Sequence, residues 1–183
     1  PAGVLNLVTG AGGVVGHALI DDPRVRTVSF TGGVETGREV YLRGAKSLKM
    51  VHLELGGKNP VILLEDASIP LAVDGVLFGA FGTSGQRCTA TSRLIIHEKI
   101  YDQVLEELDR RLDRFPVGDP LDPATGMGPV ASADQERKIL EYIEIGKKEA
   151  RLRRGGGKLT GGLYDRGFFI EPTIFETAHG TRI

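Results

Sequence analysis

Two glycine clusters near the start of the chain constrain its fold most, because each falls where a strand-like run gives way to a helix-like one. Residues 10–16 (GAGGVVG) follow VLNLV at 4–8 and lead into a helix over about 13–20. Residues 32–37 (GGVETG) follow VRTVSFT at 25–31 and lead into a helix over 35–44. KMVHLEL at 49–55 then alternates apolar and polar residues, the period of a strand. A β-α-β-α-β order predicts an α/β fold with a parallel, doubly wound sheet. In the last of these strands Met50, His52 and Glu54 share one face, opposite Val51, Leu53 and Leu55.

Beyond GGKNP the pattern changes. PVILL (60–64) is continuously apolar and predicts a strand buried on both faces. A helix starts near Ile69 with Pro70 in its first turn, where a missing N–H costs little. Its second half, GVLFGAFG, has no polar face and predicts burial all round, with Ala72, Gly75, Gly79 and Gly82 on one small-residue stripe. The helix should stop near Gly82–Gly85, so that Cys88 emerges just past its end. RLIIH (93–97) reads as a strand. Residues 98–115 read as an amphipathic helix with Ile100, Tyr101, Val104, Leu105, Leu108, Leu112 and Phe115 inward. Its outer side carries Glu106/Arg110 and Glu107/Arg111 pairs at i, i+4. A Pro/Gly loop, VGDPLDPATGMGP, precedes a second amphipathic helix capped by Ser132. A glycine-rich loop follows, and then FFIEPTIF, a strand interrupted at Pro172.

Composition removes several classes of function. Lys+Arg 23 against Asp+Glu 24 leaves a net charge of −1 and no basic stripe to track a phosphate backbone, which argues against a nucleic-acid partner. No apolar run reaches the roughly 18 to 20 residues that span a bilayer. The single cysteine excludes an internal disulfide and fits a reducing, cytoplasmic compartment. The chain begins on a proline without an initiator Met and stops just past a strand-like run, which reads as a piece of something longer.

The chemistry-bearing positions each admit two readings. The first glycine cluster is either a phosphate-binding turn at a helix start or a tight strand–helix connection, since Val15 stands where a dinucleotide fingerprint needs glycine. In the second, Gly32 and Gly33 can present backbone N–H groups, with Thr31 or Thr36 adding a hydroxyl. Glu54 is either a carboxylate tuned by apolar neighbours to act as a general base or an acid facing solvent. Cys88 is either a structural thiol or a nucleophile. Arg87 beside it favours a thiolate, while the helix C-terminus behind it does the reverse. Its partner would be Glu54, or one of His17, His52, His97 and His179 in a cysteine hydrolase. No metal-binding spacing is present.

Taken in order, FTGGVETGR, LELGGKNP, a helix into SGQRCTA, SRLIIHEKIYD, GDPLDP with MGP, and FFIEPTIF resemble the NAD(P)-dependent aldehyde dehydrogenase superfamily over essentially the whole chain. The resemblance implies that Cys88 is the nucleophile, whose thiolate attacks an aldehyde to give a thiohemiacetal and then an acyl thioester. It implies that Glu54 is the general base that activates the hydrolytic water, and that the Cys88 N–H is one oxyanion donor. Gly12, Gly32, Gly33, Val34, Glu35, Thr36, Gly37, Leu55 and Gly56 match positions near the cofactor, NAD or NADP.

The same resemblance implies that residues 1–56 are the C-terminal part of the NAD(P)-binding domain. Residues 57–183 are then the N-terminal part of the catalytic domain, so the fold is incomplete at both ends. The substrate is a small-molecule aldehyde, with SGQRCTATSR resembling members that act on semialdehydes. The parent protein is expected to be a homo-oligomer, and the 183-residue chain by itself to be inactive. Gly33 departs from the serine usual in the family and removes a hydroxyl contact to the pyrophosphate. The competing readings are a non-catalytic nucleotide-binding or interaction module of the same fold and, last, the cysteine hydrolase.

Overall fold

A computed structural model describes residues 1–177 and 180–183. The chain divides into two compact units, Pro1–Gly57 and Lys58–Ile183.

The first unit contains α1 (Gly12–Asp21), β1 (Thr27–Gly32), α2 (Val34–Ala45) and β2 (Met50–Leu55). β1 and β2 run parallel, with Thr31 opposite Glu54 and Gly32 opposite Leu55. Val51, Leu53 and Leu55 turn inward while Met50, His52 and Glu54 are exposed, the alternation their spacing predicts. The segment 4–8, expected as a strand, is not one. Leu5 and Leu7 are 92% and 89% exposed, and the segment joins no described ladder. A strand needs a neighbour for its N–H and C=O groups, and β-propensity does not supply one.

In the second unit β3 (Asn59–Leu63) and β4 (Thr91–Ile96) pair in parallel, joined by α3 (Ile69–Phe81). Glu98–Ile100 forms a 3-10 turn that leads into α4 (Tyr101–Leu112). Then come α5 (Ala133–Glu149), β5 (Arg151–Arg154) and β6 (Ile174–Glu176), the last two antiparallel. Ser132 caps α5 by accepting the Gln135 N–H at 3.3 Å, which offsets one of the unpaired donors of the first turn.

One core holds α3, α4 and the β3–β4 pair together: Leu63, Val73, Val76, Leu77, Val104 and Leu108 are all buried in it. Each such side chain contributes about 1.5–3 kcal/mol on burial. A smaller cluster of Val130, Ile143 and Ile170 lies under α5.

Five local expectations are corrected. β3 is covered on one face only: Leu63 is buried, but Ile62 and its cross-strand neighbour Ile95 are exposed. The second half of α3 is not buried all round, since Phe78 is exposed. α4 stops at Leu112, short of Phe115, and although Arg111 pairs with Glu107 as its spacing predicts, Arg110 also bonds Glu107 rather than Glu106. In FFIEPTIF only Ile174 and Phe175 enter β6, because Pro172 has no N–H for a ladder; Ile170 instead makes an isolated bridge to Lys158.

Candidate active site

α3 ends at Phe81 and tightens into a short 3-10 segment, Gly82–Gly85. Thr83, Ser84 and Gly85 all hold positive φ, at 56°, 55° and 66°. Glycine takes this conformation freely, whereas Thr83 and Ser84 each cost about 1–3 kcal/mol there.

Side chains hold the segment in place. Ser84 Oγ lies 2.8 Å from the Gly128 carbonyl oxygen and 3.1 Å from that of Pro129, so its O–H donates to one of the two. Gln86 Oε1 accepts the Ala131 N–H at 2.9 Å. Arg87 lays its guanidinium over the Phe78 ring, 4.7 Å from the centroid, and donates to the Phe78 carbonyl at 3.0 Å. That carbonyl belongs to the last turn of α3, so the Arg87 charge is directed at the negative helix end. The two opposing influences on Cys88 expected from the sequence thus meet each other.

Cys88 and Thr89 are the central residues of a β-turn closed by the Ala90 N–H donating to the Arg87 carbonyl at 3.0 Å. Cys88 is exposed, so it is not a buried structural thiol within this unit. Immediately after the turn, Ala90 is buried and β4 begins. A methyl group on Gly79 would come within 2.5 Å of Thr91 Oγ1. Of the three stripe glycines, Gly79 is the one at which α3 approaches β4 this closely.

The turn is also tied to the start of β3. Asn59 Nδ2 donates to the Cys88 carbonyl at 2.7 Å and to the Ala90 carbonyl at 3.1 Å. Arg93 donates twice to the Lys58 carbonyl, from Nε at 3.0 Å and Nη2 at 2.6 Å. Asn59 is absent from the residues singled out by sequence. Its one signal is an amide at the head of an otherwise apolar strand, NPVIL.

In the first unit, Glu54 is exposed on β2, on the same face as Met50 and His52. Gly12 opens α1, and Gly33 is the N-cap of α2, extended at φ −73°, ψ 151° and without a capping side chain. Val34, Glu35 and Thr36 form the exposed first turn of α2, whose N–H groups lack helical acceptors. Open space surrounds the positions where Gly33 and Gly56 would carry a Cβ. Gly32 and Gly37 differ: a methyl on either would meet the Phe30 ring or Leu55 Cδ2 at 2.5 Å. Gly37 and Leu55 are brought together as helix–strand packing.

The histidines have local roles or lie apart. His17 Nε2 is 2.8 Å from Glu39, and His97 Nδ1 accepts the Lys99 N–H at 3.3 Å. His52 is exposed, and His179 lies outside the described residues. Among the described residues no cluster of metal-ligating side chains occurs, and no helix is long and apolar enough to cross a membrane.

The aldehyde dehydrogenase family model matches residues 1–182. The chain is 49% identical to a hydroxyisobutyraldehyde dehydrogenase from Mycolicibacterium austroafricanum, covering 96% of this chain and 34% of that protein. It is 45% identical to an alpha-ketoglutaric semialdehyde dehydrogenase from Bacillus subtilis, covering 96% and 36%. A crystal structure of betaine aldehyde dehydrogenase from Staphylococcus aureus in complex with NAD+ superposes with a TM-score of 0.88 at 38% identity, over 92% of this chain and 34% of that one. The chain thus spans about a third of the length of these relatives. Its parallel β-α-β units match theirs in fold, and it belongs to the aldehyde dehydrogenase family.

Proposed function

We propose that this chain is the segment of an NAD(P)-dependent aldehyde dehydrogenase that bears the nucleophile and the general base. The observation that carries this reading is Cys88 itself: an exposed thiol at the tip of a turn that is bonded from both sides. An exposed sulfur on a rigid support suits nucleophilic attack, because its approach is fixed before the substrate arrives. The Cys88 thiolate adds to the aldehyde carbon and places negative charge on the former carbonyl oxygen. The turn's closing bond uses the Ala90 N–H and leaves the Cys88 N–H as a donor to that oxyanion. Once a hydride has left the adduct and a thioester remains, Glu54 takes a proton from the water that hydrolyses it and releases the carboxylic acid.

NAD(P)+, when bound, supplies the hydride acceptor that makes the reaction an oxidation. The residues present fit it at the start of α2. The open N-cap at Gly33 and the first-turn N–H groups of Val34, Glu35 and Thr36 suit an anionic group. Gly32 ends β1, Leu55 ends β2 and Gly56 follows it, while Gly12 opens α1. Gly37 serves this site by letting α2 close on Leu55.

Residues 1–56 are then part of the cofactor domain and residues 57–183 part of the catalytic domain of a homo-oligomeric cytoplasmic enzyme. The names of the relatives support an aldehyde that carries a second polar group, such as a semialdehyde. The isolated 183-residue chain is inactive in this reading, because it spans a third of its relatives. Aldehyde-dependent NAD(P)H formation in a protein carrying this segment at family length tests the proposal. Cys88→Ala abolishes it, and Glu54→Gln blocks release of the acid while leaving acylation of Cys88 intact. A rate unaffected by Cys88→Ala overturns the reading, and steady NADH formation by the isolated chain overturns its inactivity.

A further inference from the structure

We propose that Asn59 is a positioning residue for Cys88, fixing the nucleophile turn against β3; this rests on the reading of Cys88 as nucleophile.

An asparagine amide carries two hydrogens, and Asn59 uses both on one target. The acceptors are the carbonyls of Cys88 and Ala90, at 2.7 and 3.1 Å, which bracket Thr89. The β-turn bond from Ala90 to Arg87 closes the same residues from the other side. The location of this clasp follows from the strand pairing. β3 and β4 shift register between Asn59 and Pro60, and Pro60 has no N–H to offer the neighbouring strand. The Asn59 side chain supplies a donor at the place where the backbone has lost one. The pairing runs from Asn59–Thr91 directly to Pro60–Arg93, so the irregularity falls at Ser92, next to the turn that carries Cys88 and that Asn59 clasps.

The other anchors do not duplicate this one. Ser84, Gln86 and Arg87 hold the chain before Cys88, whereas Asn59 acts on Cys88 and on the residues after it. Without it, the turn retains its entry and its closing bond but loses its register on β3. The thiol then samples orientations that the scaffold now excludes. Alanine leaves the two carbonyls without their donor, and aspartate of the same shape sets a carboxylate against them.

The test is the second-order rate constant for alkylation of Cys88 by iodoacetamide as a function of pH, in this chain and its variants, with thermal melting alongside. Asn59→Ala is expected to lower the neutral-pH rate about tenfold towards that of a model thiol, and to alter the pH profile. Asn59→Asp is expected to do the same, and decides the matter if the alanine variant does not fold. Ile143→Val, a loss of packing in the separate cluster under α5, is expected to lower the melting temperature and leave alkylation unchanged. If Cys88 in the parent chain reacts no faster than the model thiol, the nucleophile reading fails and takes the inference with it. If the parent reacts fast and the folded Asn59 variants react equally fast, the inference alone is overturned. A rate that falls as much in Ile143→Val also overturns it, since general stability would then be the cause.

Discussion

Leu55 occupies the space that a side chain on Gly37 would need: a methyl group there would lie 2.5 Å from Leu55 Cδ2 and 3.0 Å from Cδ1. α2 rests on β2 at van der Waals distance through this pair, and the first-turn N–H groups of α2 are held just above the end of the strand. The contact is with the tip of a flexible side chain, so the helix can yield, at a cost. Gly37→Ala is expected to destabilise the first unit by about 1–3 kcal/mol, the usual range for overpacking. The midpoint of urea unfolding measures this; a gain in stability would show that the closeness of α2 and β2 is not set by Gly37.

Gly33 is the opposite case. Its extended backbone suits any N-cap residue, and open space surrounds its Cβ position. Gly33→Ser puts a hydroxyl where it can accept an N–H of the first turn, and is expected to stabilise α2 by a few tenths of a kcal/mol. The readout is a small rise in melting temperature. A fall would mean that the α2 N-terminus does not have the geometry of a capped helix.

Acid sensitivity is expected at the joint between α4 and the β5–β6 pair. Arg153 bonds Glu176 at 2.9 Å and Asp109 at 2.6 Å, and the Tyr101 O–H donates to Glu176 at 3.0 Å. The Arg153 hydrogen bond holds the Glu176 carboxyl below its ordinary range, whereas burial pushes the Tyr101 phenol up. Because the folded pKa of Glu176 is depressed, the unfolded chain takes up its proton at the higher pH. The stability this group contributes is present above the unfolded value and is lost as pH falls through the folded one. Urea midpoints should drop between about pH 6 and pH 3. Arg153→Met should lower the neutral-pH midpoint and flatten that drop. An unchanged acid limb in the variant would assign the loss to other carboxylates.

The elements that position the site were legible where the signal is local. The glycine turns, the alternation of β2 and the serine cap of α5 each depend on neighbours within one or two turns of chain, and they appear where their residues put them. What needed tertiary context was misread. PVILL and GVLFGAFG show that every side is apolar, but not how many layers cover them in a chain of this length. Ile62 and Phe78 are consequently open. Arg110 turned to Glu107 because both its i−3 and i−4 neighbours are acids and spacing alone does not choose between them. Asn59 was invisible for a stronger reason: it acts on residues 29 and 31 positions away, through a strand register that no local pattern states.

The proposed chemistry depends on Cys88 being a positioned nucleophile. The most direct measurement is its alkylation by iodoacetamide at neutral pH in the folded chain, in competition with glutathione and read by mass spectrometry. As the only cysteine of the chain, Cys88 gives a single site to follow. Reaction about tenfold faster than that of glutathione is expected, a difference that disappears in denaturant. Reaction at or below the glutathione rate in the folded chain, or a rise on unfolding, would contradict it.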